Sequence, residues 1–255
     1  MPASIIVFFL GHYYASIFFQ SLFVHRYVTH EMFTMSEKWA RCFNLLTYLS
    51  MGSSYLDPQA YRYLHLGHHA YSDTAKDPHS PHNFTNVISL MWDTKHRYDA
   101  FAYRRVQPEE RFLGGYPGWG VIDRLGQSWT LRIVWCLAYT AFYVHFATAW
   151  WQFMLLPAHF VMGPMHGAIV NWCGHKYGRT NFNLGDQSRN TLRIDLVTLG
   201  ELNQNTHHRH PLSPNFAIQG KWFEVDLCYQ VMRVLDLVGI IQLKSQSQVE
   251  TATAE

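Results

Sequence analysis

The sequence predicts an all-α membrane protein with about three transmembrane helices and a cytoplasmic helical cap that holds a di-metal site. Three observations predict it. Hydrophobic residues make up 48% and aromatics 16% of the 255 residues, yet mean hydropathy is only -0.13, so the chain is part lipid-buried and part wet. All 20 Lys and Arg fall in residues 26–132 and 176–244, which leaves residues 1–25 and 133–175 without a basic side chain. Half of the 16 histidines fall in four short blocks, most of them spaced as on one face of a helix.

A membrane span needs about 20 mainly apolar residues. Residues 3–24 qualify, followed by stretches near 130–149 and 151–172. The first stretch is not read as a signal peptide, because it has neither a basic leading region nor a small-residue cleavage site, and cleavage would fall just before His25. The apolar run 43–56 is short and broken by Gly52-Ser53-Ser54, so it reads as an interfacial or re-entrant helix. Residues 71–128 are polar, aromatic and punctuated by Pro and Gly, which predicts short helices and loops over the site. Residues 196–208 read as a helix carrying the last histidine block, 222–237 as an amphipathic helix, and the polar tail 245–255 as disordered. This makes one domain over residues 1–244, with the cap formed by 25–128 and 173–244.

Parity ties these elements together. If the four blocks meet, they lie on one side of the membrane, so the chain between His30 and His65 crosses either not at all or twice, and its one short apolar run is too short to cross twice. The two spans before His175 return the chain to the same side. The distribution of Lys and Arg puts that side in the cytoplasm and the N-terminus outside. The membrane is expected to be a bacterial inner membrane rather than the endoplasmic reticulum. A net charge of +2 gives no reason to expect a nucleic-acid partner. The scattered Cys42, Cys136, Cys173 and Cys228 form no CxxC pair, which argues against a disulfide framework.

The blocks are His25-Arg-Tyr-Val-Thr-His30, His65-Leu-Gly-His68-His69, Asn171-Trp-Cys-Gly-His175 and Gln204-Asn-Thr-His207-His208. Positions i, i+3 and i+4 share a helix face, so three blocks present polar prongs. Adjacent histidines lie about 100° apart on a helix of about 3.6 residues per turn, too far for one ion and well placed for two neighbouring ions. The first block departs, because an i, i+5 spacing puts His25 and His30 on different faces of a regular helix; a helix end between them resolves it. Imidazole suits zinc, copper, iron and nickel alike.

In order and content these blocks resemble those of the membrane fatty acyl desaturases of the acyl-CoA, stearoyl type, whose boxes run HxxxxH, HxxHH, NxxxH and HxxHH. The likeness extends to the HLGHHAYSDTAKDPH run from His65 to His79, to Ser188-Arg189-Asn190 and to Gly200-Glu201, and spans His25 to Pro211. The resemblance implies two iron ions held by His25, His30, His65, His68, His69, His175, His207 and His208, with Asn171 acting through a water. Gln204 departs from it, standing where the acyl-CoA type has a histidine, as in front-end desaturases; an amide oxygen is the weaker ligand. His210 is an alternative donor, though Pro211 ends the helix there, and Gln204 is favoured. Asp73, Asp77 and Glu201 are read as carboxylates that orient ligating imidazoles.

The implied activity is the oxygen-dependent introduction of a cis double bond into a long acyl chain carried by coenzyme A, acyl carrier protein or a lipid. Breaking an unactivated C–H bond demands an oxidant that no side chain supplies. No haem or flavin motif is visible, so a separate ferredoxin or cytochrome b5 type donor brings the electrons. Two other readings remain: a hydroxylase or ketolase with similar boxes, and a membrane metal-binding or transport protein. Transport would place ligands along the spans. His12, His145, His159 and His166 read as hydrogen-bonded structure, and His79, His82 and His96 as surface or supporting residues.

Overall fold

A computed structural model describes residues 3–244; the expected disordered tail lies outside the described residues. The chain is mainly helical. The first helix, α1 (Ala3–Phe19), carries no charged residue and runs without a break into a π-helical stretch, Gln20–Thr29. Together they form a 27-residue helix, the one helix among the described residues that is by itself long and apolar enough to cross a membrane. The wider coil bonds each residue to the fifth before it. His30 N–H donates to His25 O at 3.1 Å, and the Thr29 hydroxyl to Val24 O at 2.8 Å. The helix ends at Thr29 with His30 as its cap, so a helix end does fall between His25 and His30, as their spacing predicts. The wider coil adds to this, since it bonds His30 back to His25, the fifth residue before it.

Helix α2 (Glu37–Met51) starts on a Ser36 cap and packs on α1. It ends at Gly52, whose φ of +52° and close approach to the Tyr139 ring exclude a side chain. A 3-10 turn, Gly52–Ser54, follows. Helix α3 (Pro58–Tyr71) carries the second histidine block; the Asp57 carboxylate accepts from Ala60 N–H at 2.8 Å, and Pro58 opens the first turn, where no N–H is needed. Arg62 of α3 donates to Val28 O and Thr29 O at 2.7 Å each and to Phe112 O at 3.1 Å, supplying partners for the last π-helical carbonyls. Helices α4 (Val87–Ala102) and α5 (Gly120–Gln127) stand in the stretch expected to hold short helices and loops.

Helix α6 (Trp129–Phe146) occupies the second expected span. The third is not one straight helix. A 3-10 stretch, Trp150–Leu155, leads into α7 (Leu156–Phe160), and α8 (Met162–Lys176) then leaves at a bend of 79°. Pro164 explains the break, since it has no N–H for the Phe160 carbonyl. The Ser53 hydroxyl takes that place, donating to Phe160 O at 3.2 Å. Three straight crossings are therefore not what these helices display.

Residues 196–203 are turns rather than helix, and α9 is only Gln204–Arg209. The Asp195 carboxylate accepts from the N–H groups of Thr198, Gly200 and Leu202 at 2.8–3.0 Å, and Leu199 and Gly200 both have positive φ, so helix cannot begin earlier. The expected helix over 222–237 likewise shortens to α10 (Leu227–Leu237), because Asp226 caps it by accepting from Tyr229 N–H. Two short antiparallel strands, β1 (Phe33–Met35) and β2 (Ile241–Leu243), are a small exception to the all-α expectation and tie the chain after α10 to the end of the π-helical stretch. The apolar core of the cap gathers Leu22, Phe23, Val28, Phe33, Phe216 and Met232 around that stretch.

Candidate metal centre

Four separate segments bring their histidines to one buried place. The π-helical stretch contributes His25 and its cap His30, α3 contributes His65 and His69, and α9 contributes His207; one ligand atom from each lies within 4.8 Å of all the others. The second group, within the same limit, is His68 of α3, His175 of α8 and His208 of α9. The doubled histidines thus divide as their angular separation predicts, with His68 and His208 facing one way and His69 and His207 the other. The two groups could each hold a metal ion without sharing a ligand.

The hydrogen bonds outside these groups fix which nitrogen faces inward. His175 Nδ1 lies 2.9 Å from Asp73 Oδ2, His68 Nδ1 2.8 Å from Asp77 Oδ2, and His208 Nδ1 2.6 Å from Asp186 Oδ2. A carboxylate only accepts, so each Nδ1 carries the proton and each Nε2 presents a lone pair. His68 Nε2 and His175 Nε2 then face each other at 3.2 Å with no proton between them. Burial and neighbouring imidazoles hold His68 well below its usual pKa, so double protonation does not relieve the conflict. A cation does. His208 Nε2 is buried with no protein partner, as the same arrangement requires.

The larger group repeats the pattern. His25 Nδ1 donates to Glu201 Oε2 at 2.6 Å, which turns His25 Nε2 toward His65 Nε2 at 3.0 Å and His207 Nε2 at 3.2 Å. His69 Nε2 lies 3.0 Å from the Nε2 atoms of both His65 and His207. The His30 ring completes the group, centred 4.8 Å from His69 and 4.7 Å from His207. Burial is the main cause that keeps His30, His65, His69 and His207 well below the usual imidazole pKa, so they are neutral donors to a cation. Glu201 is also buried, which would raise its pKa, but His25 and Arg26 outweigh burial and hold it at about 2. Arg26, itself fully buried, donates to Glu201 and Asp226 and to Pro214 O, and lies over the Phe216 ring.

The remaining expected residues divide. Asp73, Asp77 and Glu201 each accept from a histidine Nδ1. Asn171 gives its Nδ2 proton to Gly167 O at 2.9 Å and lines the adjoining cavity. Gln204 is buried against Gly174 and gives its amide proton to Glu201 O at 2.7 Å. His210 is not brought in: it caps α9, donating its N–H to Thr206 O and His207 O, and its ring meets Phe182. His12 and His159 bond each other through Nδ1, and Tyr143 bonds His159 Nε2 at 2.9 Å, which is the structural role expected of them.

Sequence reasoning missed three groups. Asp186 precedes His208 by 22 residues and no local pattern links them. Arg26 sits inside the first block, but nothing in the sequence marks it as buried. His79 was read as a supporting or surface residue, yet it is 4% exposed and its ring is centred 4.5 Å from that of His68. The signal available was its place directly after Asp77-Pro78 in the trailing run of the second block.

Beside the centre lies a cavity of about 750 Å³ reached by His25, His65 and Asn171 and walled by apolar residues such as Ile17, Leu64, Met91 and Ile133. Fold and site together define a helical protein with a polyhistidine centre able to hold metal ions at one end of an apolar cavity. The chain belongs to the fatty acid desaturase family, whose model matches residues 2–233. It is 25% identical over 232 residues to an acyl-CoA C20 Delta5-desaturase from Anemone leveillei, covering 88% of this chain and 68% of that protein. To a sn-1 stearoyl-lipid 9-desaturase from Synechocystis sp. it is 26% identical over 203 residues, covering 69% of this chain and 52% of that protein. To a hex-5-enoyl-[acyl-carrier protein] acetylenase from Moorena producens it is 27% identical over 252 residues, covering 91% of this chain and 74% of that protein. Desaturases of this type are oxidoreductases.

Proposed function

We propose that the chain is an oxygen-dependent fatty acyl desaturase that places a cis double bond in a long acyl chain, using two iron ions and electrons from a separate ferredoxin or cytochrome b5 type donor. The observation that carries the reading is the inward convergence of imidazole lone pairs beside an apolar cavity. His25, His30, His65, His69 and His207 would hold one ion, and His68, His175 and His208 the other, with Gln204 or a water on Asn171 as further donors. When bound, iron supplies the oxidising power needed to break an unactivated C–H bond.

The protein's own residues do the rest. Asp73, Asp77, Asp186 and Glu201 lock the tautomer and ring orientation of four imidazoles, which fixes the centre before substrate arrives. Ile17, Leu64, Met91 and Ile133 exclude water along the acyl chain and hold one stretch of it against the histidines. The bond position is then set by the distance from the head group to His65 and His25. The relatives act on coenzyme A, lipid and carrier-protein substrates by their names, so the carrier is set at the cavity mouth rather than at the metal centre. The centre faces the cytoplasm, a reading supported by the Lys and Arg distribution, and the membrane is read as a bacterial inner membrane.

The test is expression in cells of known lipid composition with a working electron donor, followed by mass spectrometry of the fatty acids. New monoenes at one position are expected. Unchanged acyl chains overturn desaturation, and hydroxylated chains give the activity to the hydroxylase reading.

A further inference from the structure

The two histidine groups are unequal, with five imidazoles in one and three in the other, and the residue that would add a fourth imidazole to the smaller one is Gln204. Its amide proton is committed to Glu201 O, and the Asn171 amide proton to Gly167 O. An amide oxygen is the only donor either side chain can then offer.

His79 stands next to the smaller group. It is 4% exposed, and both its ring nitrogens are buried without a hydrogen-bond partner, although burying a polar atom unpaired is costly. Its ring centre is 4.5 Å from that of His68, as close as His68 comes to His175 at 4.8 Å and His208 at 5.0 Å. His79, His68 and Asp77 have ligand atoms within 4.8 Å of one another, a second grouping that shares His68 with the three-histidine group. The position is built rather than incidental: Asp77 accepts from His79 N–H through Oδ1 at 2.9 Å and faces His68 Nδ1 through Oδ2 at 2.8 Å, so one carboxylate sets the backbone of one histidine and the ring of the other. His79 also lines the acyl cavity, as Asn171 does, so it stands on the cavity side of the second group.

We propose that His79 is a ligand of the second metal ion and replaces the imidazole that Gln204 does not provide. The inference rests on the two-iron reading. It makes the donor sets five and four imidazoles, and it gives one of the two unpaired nitrogens a partner.

The test is iron binding by the purified full chain, independent of turnover. The parent chain and the His79→Ala, Gln204→Ala and His79→Ala/Gln204→His variants are loaded anaerobically with ferrous iron and challenged with a chelator, and retained iron is measured. His79→Ala is expected to lose one of the two irons, through a drop of about tenfold or more in affinity. Gln204→Ala is expected to weaken iron retention less than His79→Ala does, and the double variant to recover the lost iron. Recovery also shows that the His79 variant folds. A His79→Ala chain that retains both irons overturns the proposal, all the more if its KM for acyl substrate rises, which would place His79 against the substrate instead. A parent chain that binds no iron overturns the desaturase reading along with it.

Discussion

The two halves of the histidine centre are built by different means. In the larger group, four of the five imidazoles come in pairs from a single segment, His25 with His30 from the π-helical stretch and its cap, and His65 with His69 from α3. Among the described residues only His25 of these five touches a carboxylate. In the smaller group, His68, His175 and His208 each bond an aspartate through Nδ1, and all three aspartates lie outside the helices that carry the imidazoles. Repetition along a helix orients ligands without outside help, because neighbours one turn apart already point the same way. Where ligands come singly, each needs its own restraint.

The sharpest attack on the larger half is His69→Ala. Its Nε2 lies 3.0 Å from two other histidines, so its loss opens the middle of the group. Activity should fall to background and iron retention drop, as read by product analysis and metal content; full turnover would refute the assignment. Next in size is Arg26→Met, which attacks the scaffold of that half rather than a donor. The guanidinium is fully buried between Glu201 and Asp226, and removing one partner of a buried pair costs about 3–5 kcal/mol. Denaturant unfolding should report that loss, and a change under about 1 kcal/mol would show that water reaches the carboxylates.

The smaller half should break through its restraints. Asp186→Asn keeps the shape but offers an amide to His208 Nδ1 in place of a carboxylate that accepts from it at 2.6 Å. Affinity for one iron should fall about 10–100-fold while the other is unaffected. A loss shared by both ions would mean that the halves are not independent.

The same contrast explains what was legible in the sequence. The offsets within the second, third and fourth blocks follow the helix period, so the faces of α3, α8 and α9 could be read from residue spacing alone. The His25–His30 spacing predicted the helix end but not the wider coil, because a residue pattern does not announce that the backbone will widen to bond the fifth residue back. The helix expected over 196–208 failed because Asp195 captures three backbone N–H groups and Gly200 turns with φ of +109°, both local features that outweigh the apolar pattern. Asp186 and His79 reach the centre from loops, where spacing carries no geometry. The straight third span was lost to Pro164 and to a hydroxyl from a turn more than 100 residues earlier.

Two glycines, each next to a site histidine, give the finest test of how tightly the halves are packed. Gly174 of α8 lies against Gln204 of α9: a Cβ there would come within 2.5 Å of Gln204 Cγ, so the absence of a side chain is what lets His175 and His208 meet. Gly174→Ala should cost about 1–3 kcal/mol in thermal unfolding, and Gln204→Ala added to it should return most of that. Gly67 of α3 sits between His65 and His68, but an added Cβ would only touch Pro78 Cγ at 3.7 Å, ordinary contact. With no clash, the conformational freedom that glycine loses in a helix dominates, so Gly67→Ala should stabilise the fold by about 0.5–1 kcal/mol with iron content unchanged. Destabilisation at Gly67 would mean that α3 is packed as tightly as the approach of α9 to α8, and that the helix-borne half is as dependent on close contact as the half held by aspartates.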